Sequence, residues 1–157
     1  MRLDKSEILE AIVKELETEV RRIQGANKEA SGSATDEESR AESKWDTGGL
    51  EASYLARGYA QQFTELARQA NGLRAFELPS FNGKAVALGA LVRCDLDGYE
   101  CFMFLLPAGG GIELEYQDME VTVVTTDSPM GRALMNKIHG EAFRLPSGLK
   151  GTILEIL

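Results

Sequence analysis

Six carboxylates crowd one polar stretch of the chain: Asp36, Glu37, Glu38, Glu42, Asp46 and Glu51. Carboxylate oxygens are what a hard divalent cation takes as ligands, so contact with a metal ion is the chemistry open to them. The plainer alternative is a solvated surface, which is what most acidic side chains form. Trp45, the only tryptophan, sits among these acids. Cys94 and Cys101 flank a turn and are placed to be neighbours on adjacent strands. Two cysteines with no nearby histidine do not make a zinc site, so reduced, partly buried thiols are expected. His139 is the only histidine and stands beside Gly140 in a turn, which gives histidine catalysis little support. Gly109-Gly110-Gly111 precedes a strand rather than a helix, and no Gly-Lys-Ser/Thr follows, so it is a poor phosphate cradle. Asp95-x-Asp97-Gly98 is too short for a calcium loop of the EF-hand kind.

A second set of residues concerns positioning rather than reaction. Val121-Thr122-Val123-Val124 is β-branched and apolar, suited to the end of a buried strand. Ser128 follows as a natural N-cap, Pro129 falls at the first helical position, and Asp127 brings negative charge to the positive end of the helix. Met130, Ala133 and Leu134 share one face, so a short helix docked on a sheet is expected. Many folds contain such a strand-to-helix junction, and Asp127 and Pro129 can serve only to start the helix.

The helical elements lie in the first half. From Asp4 or Ser6 to about Lys28 there is no proline, and Leu9, Leu16, Ile23 and Ala30 recur every seven residues. Ile12, Val13, Val20 and Ala26 fill in between, which makes a coiled-coil seam. A helix with one apolar stripe needs a partner. Ala52, Ala56, Tyr59, Phe63, Leu66, Ala70 and Leu73 supply a second stripe, with Asn71-Gly72 suited to its end. The two are expected to pair as an antiparallel hairpin; the alternative is two helices of a compact bundle. The segment from Gly25 to Gly49 has almost no large apolar residue and cannot build a core. Part of it, about 36–45, is a candidate extension of the second helix, capped by Ser33 or Thr35.

Pro79 sets a boundary near 75–79. Beyond it, Ala85 to Cys94 and Tyr99 to Leu106 read as strands joined at Asp95-Leu96-Asp97-Gly98. A flexible loop at 107–111, strands at Ile112–Tyr116 and Val121–Thr125, the Ser128 helix and a last strand from Lys150 to Leu157 complete the pattern. The expected class is α+β: an N-terminal antiparallel coiled-coil hairpin over 1–76, with an acidic tip around 31–51, and an antiparallel sheet with one short helix over 77–157.

At 157 residues the chain suits one medium domain or two small units, and 43% hydrophobic content allows a proper core. A net charge of −8 argues against direct binding to nucleic acid phosphates and fits docking on a basic protein surface. The N-terminus lacks a signal-peptide core and no apolar run reaches membrane-spanning length, so a cytoplasmic protein with no membrane contact is expected.

Asp-Ser-Pro-Met-Gly-Arg-Ala-Leu-Met-Asn-Lys at 127–137, then Gly140-Glu141, the Leu145-Pro146-Ser147-Gly148 turn and Gly151-Thr152-Ile153-Leu154-Glu155-Ile156, resemble the C-terminal domain of the bacterial GreA/GreB transcription factors. The likeness covers about residues 80–157, and the hairpin agrees in architecture. It implies an FKBP-like fold for the C-terminal part and bacterial RNA polymerase as the partner. In that family the hairpin enters the secondary channel of the polymerase, and tip acids help hold a catalytic Mg²⁺ and an attacking water. The polymerase then cleaves its own backtracked transcript, so the factor is not an enzyme and has no cofactor of its own. The Asp and Pro of an Asp-Ser-Pro helix start bear on polymerase binding in GreB-like members; they match Asp127 and Pro129, with Ser128 between.

The tip departs from the usual family pattern, Gly-Asp-Leu-x-Glu-Asn-x-Glu-Tyr. Anchoring on Tyr54 puts Thr47 and Leu50 at the acidic positions. A variant group reads Gly-Asp-Lys-Tyr-Glu-Thr-Gly-Arg, and Lys44-Trp45-Asp46-Thr47-Gly48 aligns with it better. Asp46 then takes the second acid's place, Ser43 the first, and Glu42 beside it can deputise. By this resemblance Glu42 and Asp46 approach the polymerase Mg²⁺, with Asp46 a shared ligand, while Asp127, Ser128 and Pro129 anchor a monomeric factor. The rivals are a non-cleaving regulator of the secondary channel, a coiled-coil interaction protein unrelated to polymerase, and an FKBP-like isomerase, for which this half has few aromatics.

Overall fold

The computed structural model describes residues 2–35 and 48–157. Helix α1 spans Lys5–Thr35 and helix α2 spans Gly48–Arg74. Six strands follow: β1 (Leu91–Leu96), β2 (Tyr99–Leu105), β3 (Glu113–Tyr116), β4 (Met119–Val124), β5 (Ala142–Arg144) and β6 (Lys150–Ile156). Helix α3, Pro129–Leu134, lies between β4 and β5. The α+β class, with a long helical pair ahead of a sheet and one short helix, therefore stands. By contact density the chain forms two compact units: residues up to Val13 with Asn71–Leu157, and Lys14–Ala70.

Asp4 starts α1: its carboxylate accepts from the Ser6 amide at 2.8 Å and the Glu7 amide at 3.4 Å. Two of the four free amides at the helix end are thereby satisfied. The helix does not stop near Lys28. It runs on to Thr35, so Ser33 and Thr35 belong to this helix, while the candidate extension at 36–45 lies outside the described residues. Gly25 is tolerated in the interior because one glycine costs only about 1 kcal/mol relative to alanine. In the unit Lys14–Ala70, Leu16 and Ile23 of the seven-residue repeat are buried, as is Ala70. Tyr59, Phe63 and Leu66 are half-buried. Arg22 with Glu19, and Arg68 with Glu65, pair one turn apart on the exposed faces.

The sheet order is β3-β4-β2-β1-β6-β5. Every neighbouring pair is antiparallel except β2 and β4, which run parallel. The sheet is thus mixed, not wholly antiparallel as expected from the sequence. The chain leaves β2, makes edge strand β3, and turns back so that β4 slots between β3 and β2. That turn is Gln117-Asp118, with φ of 49° and 65°. The β1–β2 turn is Asp97-Gly98, with φ of 51° and 91°. Two consecutive left-handed residues give the turn whose twist matches a two-residue hairpin. β1 begins only at Leu91: before it, Val86 leaves the sheet and pairs with the loop after α3 instead, its amide donating to Lys137 O at 2.8 Å.

Alternation gives the sheet two buried faces. One carries Val92 and Cys94 of β1, Met103 and Leu105 of β2, Val124, Phe143 and Ile153, and packs with Leu134 of α3. The other carries Leu91, Phe104, Val121 and Val123, all at 1% exposure or less. Ile8, Ile12 and Leu73, from the helix ends in the same unit, are equally buried. They reach the loop at 107–111: a Cβ on Gly109 would stand 3.5 Å from Leu73 Cδ1 and 3.7 Å from Ile12 Cγ2. That loop is pinned rather than flexible, since the Gly111 amide donates to Val123 O at 2.9 Å. Lys5 ties the start of α1 to the same unit. Its ammonium donates to Pro79 O at 2.7 Å and Gly89 O at 3.1 Å and lies 4.8 Å from the Phe81 ring centroid. Burial lowers its pKa from the usual lysine value.

Candidate functional site

The junction from β4 into α3 is built around the Ser128 hydroxyl. Its backbone is extended (φ −68°, ψ 156°), and its Oγ accepts from the Gly131 amide at 3.0 Å. The same hydroxyl donates to Thr125 O at 2.7 Å, and the Ser128 amide reaches that carbonyl at 3.2 Å. The hydroxyl thus donates its hydrogen and accepts one bond inside the chain. Pro129 starts the helix as expected, where a missing amide hydrogen leaves nothing unsatisfied. Asp127 and Pro129 are exposed, while Ser128 is half-buried. The three residues therefore differ: Ser128 fixes the turn, and its two neighbours are presented outward.

Gly131 is the residue here that sequence reasoning missed. A Cβ built on it would lie 1.9 Å from Thr125 O and 2.9 Å from Thr125 C, both backbone atoms. Only glycine lets α3 sit this close to the end of β4. A glycine inside the helical pattern one turn after a cap was the available signal.

The exit from α3 is held by Glu141. Its carboxylate accepts from Lys137 Nζ at 2.8 Å and from the Ile138 amide at 3.0 Å. The Lys137 bond, then the Ile138 amide, hold its pKa below the ordinary carboxylate value of 4.5. A depressed folded-state pKa means a stabilising contribution that is fully present above the unfolded value, and lost as pH falls through the folded one. Lys137→Met is therefore expected to move the Glu141 carboxyl titration, followed by NMR, upward toward the ordinary value; an unchanged midpoint would refute the pairing.

The tip acids Glu42 and Asp46, with Trp45, lie outside the described residues. Glu51, in the first turn of α2, is described and exposed. Near it Leu50, Tyr54 and Leu55 are 55%, 60% and 52% exposed, and the Arg57 guanidinium lies 5.5 Å from the Tyr54 ring centroid. These three large apolar side chains fall off the Ala52-Ala56-Tyr59-Phe63 stripe, a displacement visible in the sequence. Among the described residues no cluster of three or more His, Cys, Asp or Glu side chains is placed to hold a metal ion. Asp95 and Asp97 instead accept from backbone, from Gly98 N at 3.0 Å and Lys150 N at 3.4 Å. A cleft of about 460 Å³ is lined by Phe81, Lys84, Ile138, His139, Glu155 and Ile156, along with Gly83, and Phe81 is the one Phe, Tyr or Trp in its wall. No described helix is long and apolar enough to cross a membrane.

No family model matches the sequence, and no curated protein matches it. Among solved structures the chain is similar to the crystal structure of GreA factor homolog 1 (Gfh1) of Thermus thermophilus. That likeness has 20% identity and a TM-score of 0.38, over 92% of this chain and 94% of that one. It is also similar to Gfh1 of Thermus aquaticus, with 22% identity and a TM-score of 0.38, over 94% of this chain and 92% of that one. A structure of the transcription factor Gfh1 is similar at 24% identity and a TM-score of 0.38, with 94% and 92% coverage.

Proposed function

We propose that this chain is a Gre-like transcription factor that binds bacterial RNA polymerase at its secondary channel and acts on the polymerase without being an enzyme itself. The observation that carries the reading is the division of labour at the α3 start. Ser128 is consumed by the Gly131 amide and the Thr125 carbonyl, while Asp127 and Pro129 stand exposed. Those two positions are the ones that the sequence resemblance assigns to polymerase contact. A buried Asp127 would have opposed the reading.

In this proposal Glu42 and Asp46 bring carboxylates to the polymerase Mg²⁺. A metal so placed favours phosphoryl transfer by stabilising the attacking and leaving oxygens. A second reading, a non-cleaving regulator that occupies the channel, is favoured by Ser43 at the position of the first tip acid. An interaction protein that never meets polymerase is the third.

One experiment separates them: RNA cleavage in a stalled, backtracked elongation complex with Mg²⁺, with this protein added as wild type or Asp46→Asn. Cleavage is expected with the wild type and a fall of at least roughly tenfold with the variant, the scale seen when a metal site is disturbed. Stable binding without cleavage selects the channel regulator. Absence of polymerase binding overturns the proposal, leaving only a fold.

A further inference from the structure

Cys94 and Cys101 face each other directly across β1 and β2. The Asp97-Gly98 turn makes Leu96 and Tyr99 its flanking, hydrogen-bonded pair, and such pairs alternate along the ladder. Cys94 and Cys101 lie two residues further along each strand, so they too occupy a hydrogen-bonded pair. The Leu105 amide donating to Ala90 O at 2.9 Å fits the same phase. Hydrogen-bonded pairs hold their Cα atoms about 5.5 Å apart, inside the span of roughly 4.4–6.8 Å that a disulfide bridges. Both side chains point to the face of the sheet that packs with α3. Their sulfurs are 3.5 Å apart. Closing that gap to a bond of about 2.05 Å also brings the two β-carbons to about 3.8 Å, closer than opposed strand residues usually stand, so β1 and β2 draw together locally with no change of register.

The two thiols differ in access. Cys94 is fully buried, and Cys101 is partly exposed. The bond to the Cys101 sulfur, and then burial, push the Cys94 thiol up, and the same bond lowers the pKa of Cys101. An oxidant from solvent therefore meets Cys101 first, with a second sulfur already in contact.

We propose that Cys94 and Cys101 are an oxidisable dithiol, which a hydroperoxide converts into an intrachain disulfide across β1 and β2. In the first step the Cys101 sulfur attacks one peroxide oxygen. The O–O bond breaks, Cys101 becomes a sulfenic acid, and its proton leaves with the other oxygen as water or alcohol. In the second step the Cys94 sulfur attacks the Cys101 sulfur. The S–O bond breaks, hydroxide takes the Cys94 proton, and a second molecule of water departs. The peroxide accepts two electrons and the two thiols supply them. A small-molecule thiol reverses the change by exchange.

The test uses the full chain. After treatment with hydrogen peroxide, native protein is alkylated with iodoacetamide and measured by intact mass and peptide mapping. The expected product is a monomeric chain that has lost two hydrogens, with a Cys94–Cys101 linked peptide and no alkylation; dithiothreitol restores both thiols. Cys94→Ala removes the resolving sulfur and is expected to accumulate a dimedone adduct on Cys101 that the wild type does not. Should that variant fold poorly, the wild-type mass and peptide map still decide. Sulfinic acid on Cys101, chains linked to one another, or two thiols that remain free to alkylate would each overturn the proposal.

Discussion

Gly131→Ala is expected to destabilise the sheet-bearing unit by about 3 kcal/mol, the scale of a forced overlap in a packed interior. The new methyl would fall 1.9 Å from Thr125 O, far inside any contact distance. Thr125 cannot simply yield, because its carbonyl accepts from both the Ser128 hydroxyl and the Ser128 amide. Moving it undoes the cap, and moving α3 withdraws Leu134 from the core around Val92, Met103 and Ile153. Alanine's better helix propensity returns at most about 1 kcal/mol, so strain wins. For a unit of this size the melting temperature falls by roughly 12–24 °C. Thermal and urea denaturation of the two proteins measure this directly. Equal stabilities would mean that α3 docks with more freedom than its hydrogen bonds imply.

The same junction shows what a sequence can and cannot declare. Ser128 and Pro129 were legible because capping is a matter of adjacent residues. The Cys94 and Cys101 pairing was legible for a similar reason, an Asp-Gly turn at the midpoint between them. Gly131 was not, since its role depends on Thr125 approaching through space. The parallel pairing of β2 with β4 was hidden too. Hydrophobic alternation marks a strand but says nothing about which neighbour it takes, and β4 reaches β2 only after β3 is laid at the edge. Strand β5, Ala142–Arg144, has a single buried side chain, Phe143, and three residues show no period. The extension of α1 beyond Lys28 went unseen because its last turns lack an apolar stripe, although nothing in them forbids a helix. Gly109 looked like part of a loose loop because glycines alone do not reveal that Ile12 and Leu73 reach their backbone. Of the candidate site, Asp127, Ser128 and Pro129 are placed in the structure, whereas Glu42 and Asp46 fall outside the described residues.

Asp127→Asn is expected to leave folding stability within about 0.5 kcal/mol of wild type, as exposed substitutions generally do. On the proposed function it is nonetheless expected to weaken binding to RNA polymerase by roughly 10- to 100-fold. That range corresponds to one charge-assisted hydrogen bond lost at a partner surface. Pro129→Ala is expected to weaken binding less, since it removes a rigid apolar contact but no charge. Ser128→Ala should behave the other way round: its hydroxyl is already committed within the chain, so the loss, about 1–2 kcal/mol, appears in folding. Binding by Ser128→Ala then falls only as far as the α3 start loses its shape. Affinity measurements at two salt concentrations, beside denaturation curves for the same proteins, separate the two patterns. The Asp127→Asn defect should shrink at higher salt, because screening weakens the wild-type charge contact that the variant already lacks. An Asp127→Asn protein that binds polymerase as tightly as wild type would remove this residue from the contact. A Ser128→Ala protein of unchanged stability would instead show that the Gly131 and Thr125 bonds are replaced by water, and that the α3 start is held by its packing alone.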